Sequence, residues 1–128
     1  MRTVRNARPV TLPILKLKLP VAGWVSLLHR VSGVLLFLAL PVLIYALGLS
    51  LKDPESFGVV RQQLASPVVR LALLLMIWAL AHHLFAGVRH LFMDMHWGTS
   101  LVAARCSARL VLLSSLLVSG LTAWRLFS

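Results

Sequence analysis

Charge is scarce in this sequence, and acidic charge is scarcest. Of 128 residues only Asp53, Glu55 and Asp94 are acidic, against 13 lysines and arginines, and charged residues together make up 12%. By contrast, 59% of the chain is hydrophobic. A soluble domain of this length keeps a large surface for its volume and cannot hide that much apolar side chain. That composition excludes a soluble globular domain, and lipid is the expected solvent. A second cysteine is missing, so Cys106 cannot form an intrachain disulfide and is expected to act as a small packing residue. Apolar–polar alternation is missing too, which argues against a membrane β-barrel. There is no internal repeat and no low-complexity tract. No short apolar stretch leads to a small-residue cleavage site near the N-terminus, so no cleaved signal peptide is expected there.

What remains is three long apolar runs, Val31–Leu51, Val68–Val88 and Leu110–Phe127. A helix needs ~20 residues to cross the hydrocarbon core, and only helices or closed barrels satisfy their backbone in lipid. The expected fold class is an all-α integral membrane protein with three transmembrane helices. A single domain covers 1–128, with a basic arm over 1–20, helix I over 21–51, helix II over 68–95 and helix III over 103–127. Pro9 and Pro13 keep the arm irregular, Pro20 opens helix I, and Pro41 should kink it. The run "KDPESFG", 52–58, reads as a polar turn, 61–65 as a short surface helix, and Gly98 as the cap of helix II.

The net charge of +10 could suggest nucleic acid, but the basic residues flank the spans, and no nucleic-acid partner is expected. Arg2, Arg5, Arg8, Lys16, Lys18 and Arg30 lie before the first apolar run. Lys52, Arg61 and Arg70 share the next loop with Asp53 and Glu55. Arg89, Arg105 and Arg109 surround the loop after helix II, and Arg125 is near the C-terminus. The positive-inside rule then puts the N-terminus and the second loop in the cytoplasm and the C-terminus outside.

One segment breaks the apolar pattern. "AHHLFAGVRHLFMDMHWG", 81–98, carries His82, His83, His90 and His96 with Arg89 and Asp94. At ~100° per residue, Gly87, His90 and Asp94 fall near the face of His83, while His82 shares its side with Arg89. An imidazole in lipid is expensive without a partner. The partner could be haem iron, with Gly87 admitting the flat macrocycle and Arg30, Arg89 and the outer histidines meeting its propionates. It could equally be a hydrogen bond to a neighbouring helix. In helix I, "SLLHRVSG", 26–33, sets Ser26 and Arg30 one turn apart. That is a donor pair for a carbonyl or an anion, or else an arginine reaching for lipid phosphate beside a serine bonded to its own helix. Trp97 suits the membrane interface, and His96 is expected at the surface.

Together "RPVTL" from Arg8, "SLLHRVSG" and "HHLFAGVRHLFMD" resemble the cytochrome b membrane-anchor subunit of succinate dehydrogenase (succinate:quinone oxidoreductase, respiratory complex II), over nearly the whole chain. The resemblance implies a bacterial-type inner-membrane subunit that pairs with a second small membrane-anchor subunit and holds one haem b between histidines, one from each chain. It implies attachment of an iron–sulfur subunit and a flavoprotein subunit on the cytoplasmic face, where succinate is oxidised, and reduction of a ubiquinone-type quinone. On the matching positions, His83 would be the axial ligand of the haem b iron, with His82 beside it leaving a swap open. Ser26 and Arg30 would line the quinone site. His29, Arg30 and His90 would meet the haem propionates, and Asp94 would join the polar network near the quinone, where Arg89 is also a candidate. Two other readings stay open: a quinol:fumarate reductase anchor, and a haem-free anchor or assembly subunit. A proton-conducting subunit is disfavoured, because the outer halves of helices I and II hold no ionisable residue in their apolar cores.

Overall fold

The computed structural model describes residues 19–128. The expected basic arm with its "RPVTL" segment lies outside the described residues, apart from Leu19 and Pro20. Four helices follow: α1 (Val21–Ser50), α2 (Pro54–Ala65), α3 (Pro67–Asp94) and α4 (Leu101–Phe127). The chain is an all-α membrane protein, and α1, α3 and α4 are each long and apolar enough to cross a membrane.

The ends of these helices follow from local chemistry. α1 begins directly after Pro20 and runs unbroken through Pro41, which lies on an exposed face. The segment expected to be a turn before a short helix is instead the beginning of α2. Asp53 accepts the Ser56 N–H at 2.7 Å, and Pro54 takes the first helical position, where its missing N–H costs nothing. This bond holds the Asp53 carboxyl below the usual carboxylate range. Ser66, extended because Pro67 follows it, ends α2 and opens α3. The Ser100 hydroxyl accepts the Ala103 N–H at 3.3 Å, which starts α4 two residues earlier than expected.

The stop of α3 also differs from expectation. The left-handed residue after the helix is His96, at φ 63°, and not Gly98, which adopts φ 70° two residues later. His96 N–H bonds to the Met93 carbonyl and Trp97 N–H to the Phe92 carbonyl, both at 3.0 Å. The Phe92 and Trp97 rings stack with centroids 6.1 Å apart. These are the two bonds and the apolar contact of a Schellman motif. His96 is exposed, as expected.

α3 packs against both α1 and α4, and α1 also touches α4. The three meet in a small core of Val25, Ala86, Ala108 and Val111, flanked by Val21, Ala22, Phe85 and Leu112. Small side chains let helices approach closely in lipid. Ser115, Ser119 and Thr122 of α4 bond back to carbonyls of their own helix. At the opposite end, Arg70 donates to the Leu126 carbonyl at 3.1 Å and ties the start of α3 to the end of α4. Cys106, expected to pack, is exposed on α4. The outward face of α1 is strongly exposed, with Phe37 at 74% and Tyr45 at 72%.

Candidate functional site

The polar residues of the bundle gather where α1 starts, α3 ends and α4 starts. They form two groups, on different sides of α3.

The first group lies between α1 and α3. The His29 and His83 rings stack with centroids 4.2 Å apart at 15°, and His90 lies 5.2 Å from His29, tilted by 56°. Two glycines make this clasp reciprocal. A Cβ on Gly33 of α1 would sit 3.0 Å from His83 Cε1, and a Cβ on Gly87 of α3 would sit 3.4 Å from His29 Nε2. Each imidazole therefore fills the space left by a glycine of the facing helix. The room expected at Gly87 for a macrocycle beside His83 is taken by His29.

The tautomer of His83 follows from its partners. Nδ1 is 3.0 Å from the His29 carbonyl oxygen, which can only accept, so the proton sits on Nδ1. The Ser32 hydroxyl donates to the same carbonyl at 2.9 Å, and its oxygen lies 3.3 Å from His83 Nδ1 as a second acceptor. The other ring nitrogen, Nε2, makes no hydrogen bond among the described residues. No group of three or more His, Cys, Asp or Glu able to hold a metal ion occurs among the described residues. One imidazole nitrogen suits an iron whose equatorial ligands come from a macrocycle, and not a site built from side chains alone.

The second group comprises His82, which reaches toward α1, and Arg89, which reaches toward α4. His82 is 0% exposed, stacks on Trp78 at 5.5 Å, and its Nε2 lies 3.4 Å from the Val25 carbonyl oxygen. Its other nitrogen, Nδ1, is buried without a partner. Arg89 is 6% exposed and donates from Nε to Ser107 Oγ at 3.0 Å and from Nη2 to the Ala104 carbonyl at 3.2 Å. His82 and Arg89, seven positions apart on α3, meet different neighbours, His82 the Val25 carbonyl of α1 and Arg89 two oxygens of α4. Arg89 therefore turns away from the His29–His83–His90 cluster, with which it had been grouped as a haem-propionate or polar-network residue. The physical reason is helical: residues 82 and 89 lie ~100–120° round α3 from 83.

Ser26 and Arg30 lie one turn apart on α1, Ser26 half-buried and Arg30 exposed. Neither makes a side-chain hydrogen bond to another described residue. Asp94, exposed, is the last residue of α3, where a carboxylate opposes the helix dipole. No ion pair to it forms among the described residues. Ser32 and Gly33 were not singled out as functional from sequence. Their signal was present, since both lie one turn beyond His29.

Comparison with known proteins follows the same segments. A family model described as succinate dehydrogenase/fumarate reductase transmembrane subunit matches residues 4–122. A protein of Coxiella burnetii named succinate dehydrogenase cytochrome b556 subunit is 36% identical over 121 residues, covering 91% of this chain and 97% of the relative. Proteins of the same name from Rickettsia felis and Paracoccus denitrificans are 31% and 28% identical. They cover 91% and 92% of this chain, and 90% and 91% of their own lengths.

Proposed function

The chain belongs to the succinate dehydrogenase/fumarate reductase transmembrane subunit family, and we propose that it is the cytochrome b membrane anchor of a succinate:quinone oxidoreductase. One observation carries the reading. His83 donates Nδ1–H to the His29 carbonyl, which leaves Nε2 without a hydrogen bond on a ring fixed by the Ser32 hydroxyl and a glycine cradle. A neutral imidazole with its other nitrogen tied to a carbonyl is the form that ligates iron. His83 would hold the haem b iron, and the other axial ligand would come from a second small membrane-anchor subunit. His82 suits the role less, because its free nitrogen is enclosed. When bound, the haem supplies a one-electron acceptor beside the quinone.

His29, Arg30 and His90 would meet the propionates, which need cations or donors. Ser26 and Arg30 would hold a ubiquinone-type quinone. The guanidinium and the hydroxyl donate to its carbonyl oxygens and stabilise the negative charge that builds there. The quinone takes two electrons from the iron–sulfur subunit and two protons to become quinol. Asp94, an acceptor on the same face, would join the polar network that delivers those protons. Succinate itself would be oxidised in the flavoprotein subunit, not in this chain. The relatives are named for succinate dehydrogenase, which favours flow toward quinone.

The site would lie at the cytoplasmic side of an inner membrane, with the N-terminus inside and the C-terminus outside. The basic residues around the α3–α4 loop support this, because Asp53 and Glu55 offset the charge of the opposite loop. The exposed outer face of α1 is a surface that a second subunit would cover.

The test is a reduced-minus-oxidised visible spectrum of the assembly extracted from membranes, for wild type, His83→Ala and His82→Ala. The expected result is a b-type signal lost or strongly altered only in His83→Ala. An unchanged His83→Ala spectrum overturns the ligand assignment, and no haem signal in an intact wild-type assembly overturns the cytochrome reading. Quinone reduction in Ser26→Ala should fall with the spectrum retained, and in Arg30→Ala it should fall together with a shift of the spectrum through the lost propionate contact.

A further inference from the structure

Arg89 is a buried cation without a counter-anion. The residue is 6% exposed, and its two recorded bonds go to neutral oxygens, the Ser107 hydroxyl and the Ala104 carbonyl. Burying a charge is costly unless an opposite charge joins it. The whole sequence offers only three carboxylate side chains. Asp53 and Glu55 begin α2, at the other end of the bundle. Asp94 lies five residues further along α3 and makes no ion pair with Arg89. The basic first 18 residues contain no acid at all. The anion must come from outside the chain.

The surroundings of Arg89 say what kind. It lines a cleft of about 420 Å³ between α3 and α4, walled mainly by Phe85, Val88, Phe92, Trp97, Leu110 and Val111. The cleft runs along the helices, since its lining residues Phe85 and Met93 are eight positions apart on α3, or ~12 Å at ~1.5 Å each. Its depth in the membrane also follows from helix length. α3 has 28 residues, ~42 Å, against a hydrocarbon core of ~30 Å, so about 6 Å extends beyond the core at each end if the helix is centred. Arg89 lies ~7.5 Å from the end of α3, at the boundary where lipid headgroups meet acyl chains. Trp97, at the mouth, is a residue type enriched at that level. A cation at headgroup depth, opening onto an apolar slot that continues toward the midplane, matches an anionic amphiphile.

We propose that the α3–α4 cleft binds an anionic phospholipid, its phosphodiester paired with Arg89 and one acyl chain lying along Phe85, Leu110 and Val111. The phosphate completes the guanidinium's hydrogen bonding and removes the uncompensated charge. Arg89 is then a lipid-binding residue on a different side of α3 from the histidine cluster.

The test uses the membrane-extracted assembly, stripped of lipid in non-ionic detergent and returned to phosphatidylglycerol or to phosphatidylcholine. Bound lipid is counted by native mass spectrometry, and Tm is measured for each. Wild type should retain phosphatidylglycerol preferentially and show the larger Tm rise with it. Arg89→Gln should bind it about tenfold more weakly, as expected for loss of one charge-assisted contact, and Arg89→Lys should recover part of the preference. Leu110→Trp, which fills the slot and leaves Arg89 intact, should displace the lipid if Arg89→Gln fails to assemble. Equal retention of the two lipids by wild type overturns the proposal. So does a preference unchanged in Arg89→Gln or in Leu110→Trp, which would assign the counter-anion to a partner subunit's carboxylate. None of these readouts depends on haem or on quinone reduction.

Discussion

Replacing Gly33 with alanine probes the clasp with a single methyl group. The added Cβ would lie 3.0 Å from His83 Cε1 and 3.4 Å from Nδ1. Carbon atoms rest at ~3.5–4.0 Å, so the imidazole must retreat by about 0.5–1 Å. Its Nδ1 now sits 3.0 Å from the His29 carbonyl. The retreat takes that distance to ~3.5 Å or beyond, outside hydrogen-bonding range. The lost bond is worth ~0.5–1.5 kcal/mol, and overpacking typically adds ~1–3 kcal/mol. Relief of glycine's backbone entropy within a helix returns ~0.5–1 kcal/mol. The net expectation is destabilisation by about 0.5–4 kcal/mol, centred on ~2 kcal/mol. Gly120→Ala is the control: its Cβ would meet nothing within 4 Å, so it should be neutral or mildly stabilising. Thermal unfolding of the extracted assembly compares the two variants, and the visible spectrum reports on His83 independently. If Gly33→Ala melts with Gly120→Ala and its spectrum is unchanged, the steric reasoning is wrong.

Other consequences are equally specific. His96→Gly relieves a left-handed backbone that costs a side-chain-bearing residue ~1–2 kcal/mol; it should stabilise the end of α3 by about 1 kcal/mol, and His96→Val should destabilise it, as read by limited proteolysis at the α3–α4 loop. Ser107→Ala leaves the Arg89 Nε–H without its acceptor and should lower stability by ~1–3 kcal/mol, measured by Tm. The Asp53 cap should depend on pH. Because the folded carboxyl titrates below its ordinary value, its stabilisation is complete above about pH 4 and is lost as pH falls through the lower folded value. Hydrogen exchange at the Ser56 amide should therefore accelerate in acid in wild type and lose that dependence in Asp53→Asn.

Much of this was legible in the one-dimensional pattern. Length and apolarity of three runs were enough for three membrane helices, because lipid leaves the backbone no other way to satisfy its hydrogen bonds. The 100° step was enough to divide α3 into a His83–Gly87–His90 side and a His82–Arg89 side. Cap chemistry was present but under-read. Asp53-Pro54-Glu55 was a helix start hidden in a proline- and glycine-containing stretch, and the stop of α3 fell to His96 because local hydrogen bonds and the Phe92–Trp97 stack outweighed the usual preference for glycine. What periodicity could not decide was which neighbour each side of α3 meets. A helix face is a direction, and its partner depends on how three helices pack. Only the tertiary structure put His29 into the space at Gly87 and His83 into the space at Gly33, tied Nδ1 to a carbonyl 54 residues away, and turned Arg89 into a cleft against α4. These are long-range contacts between helices, and the tautomer, the orphaned charge and the cleft exist only once those helices have closed on one another.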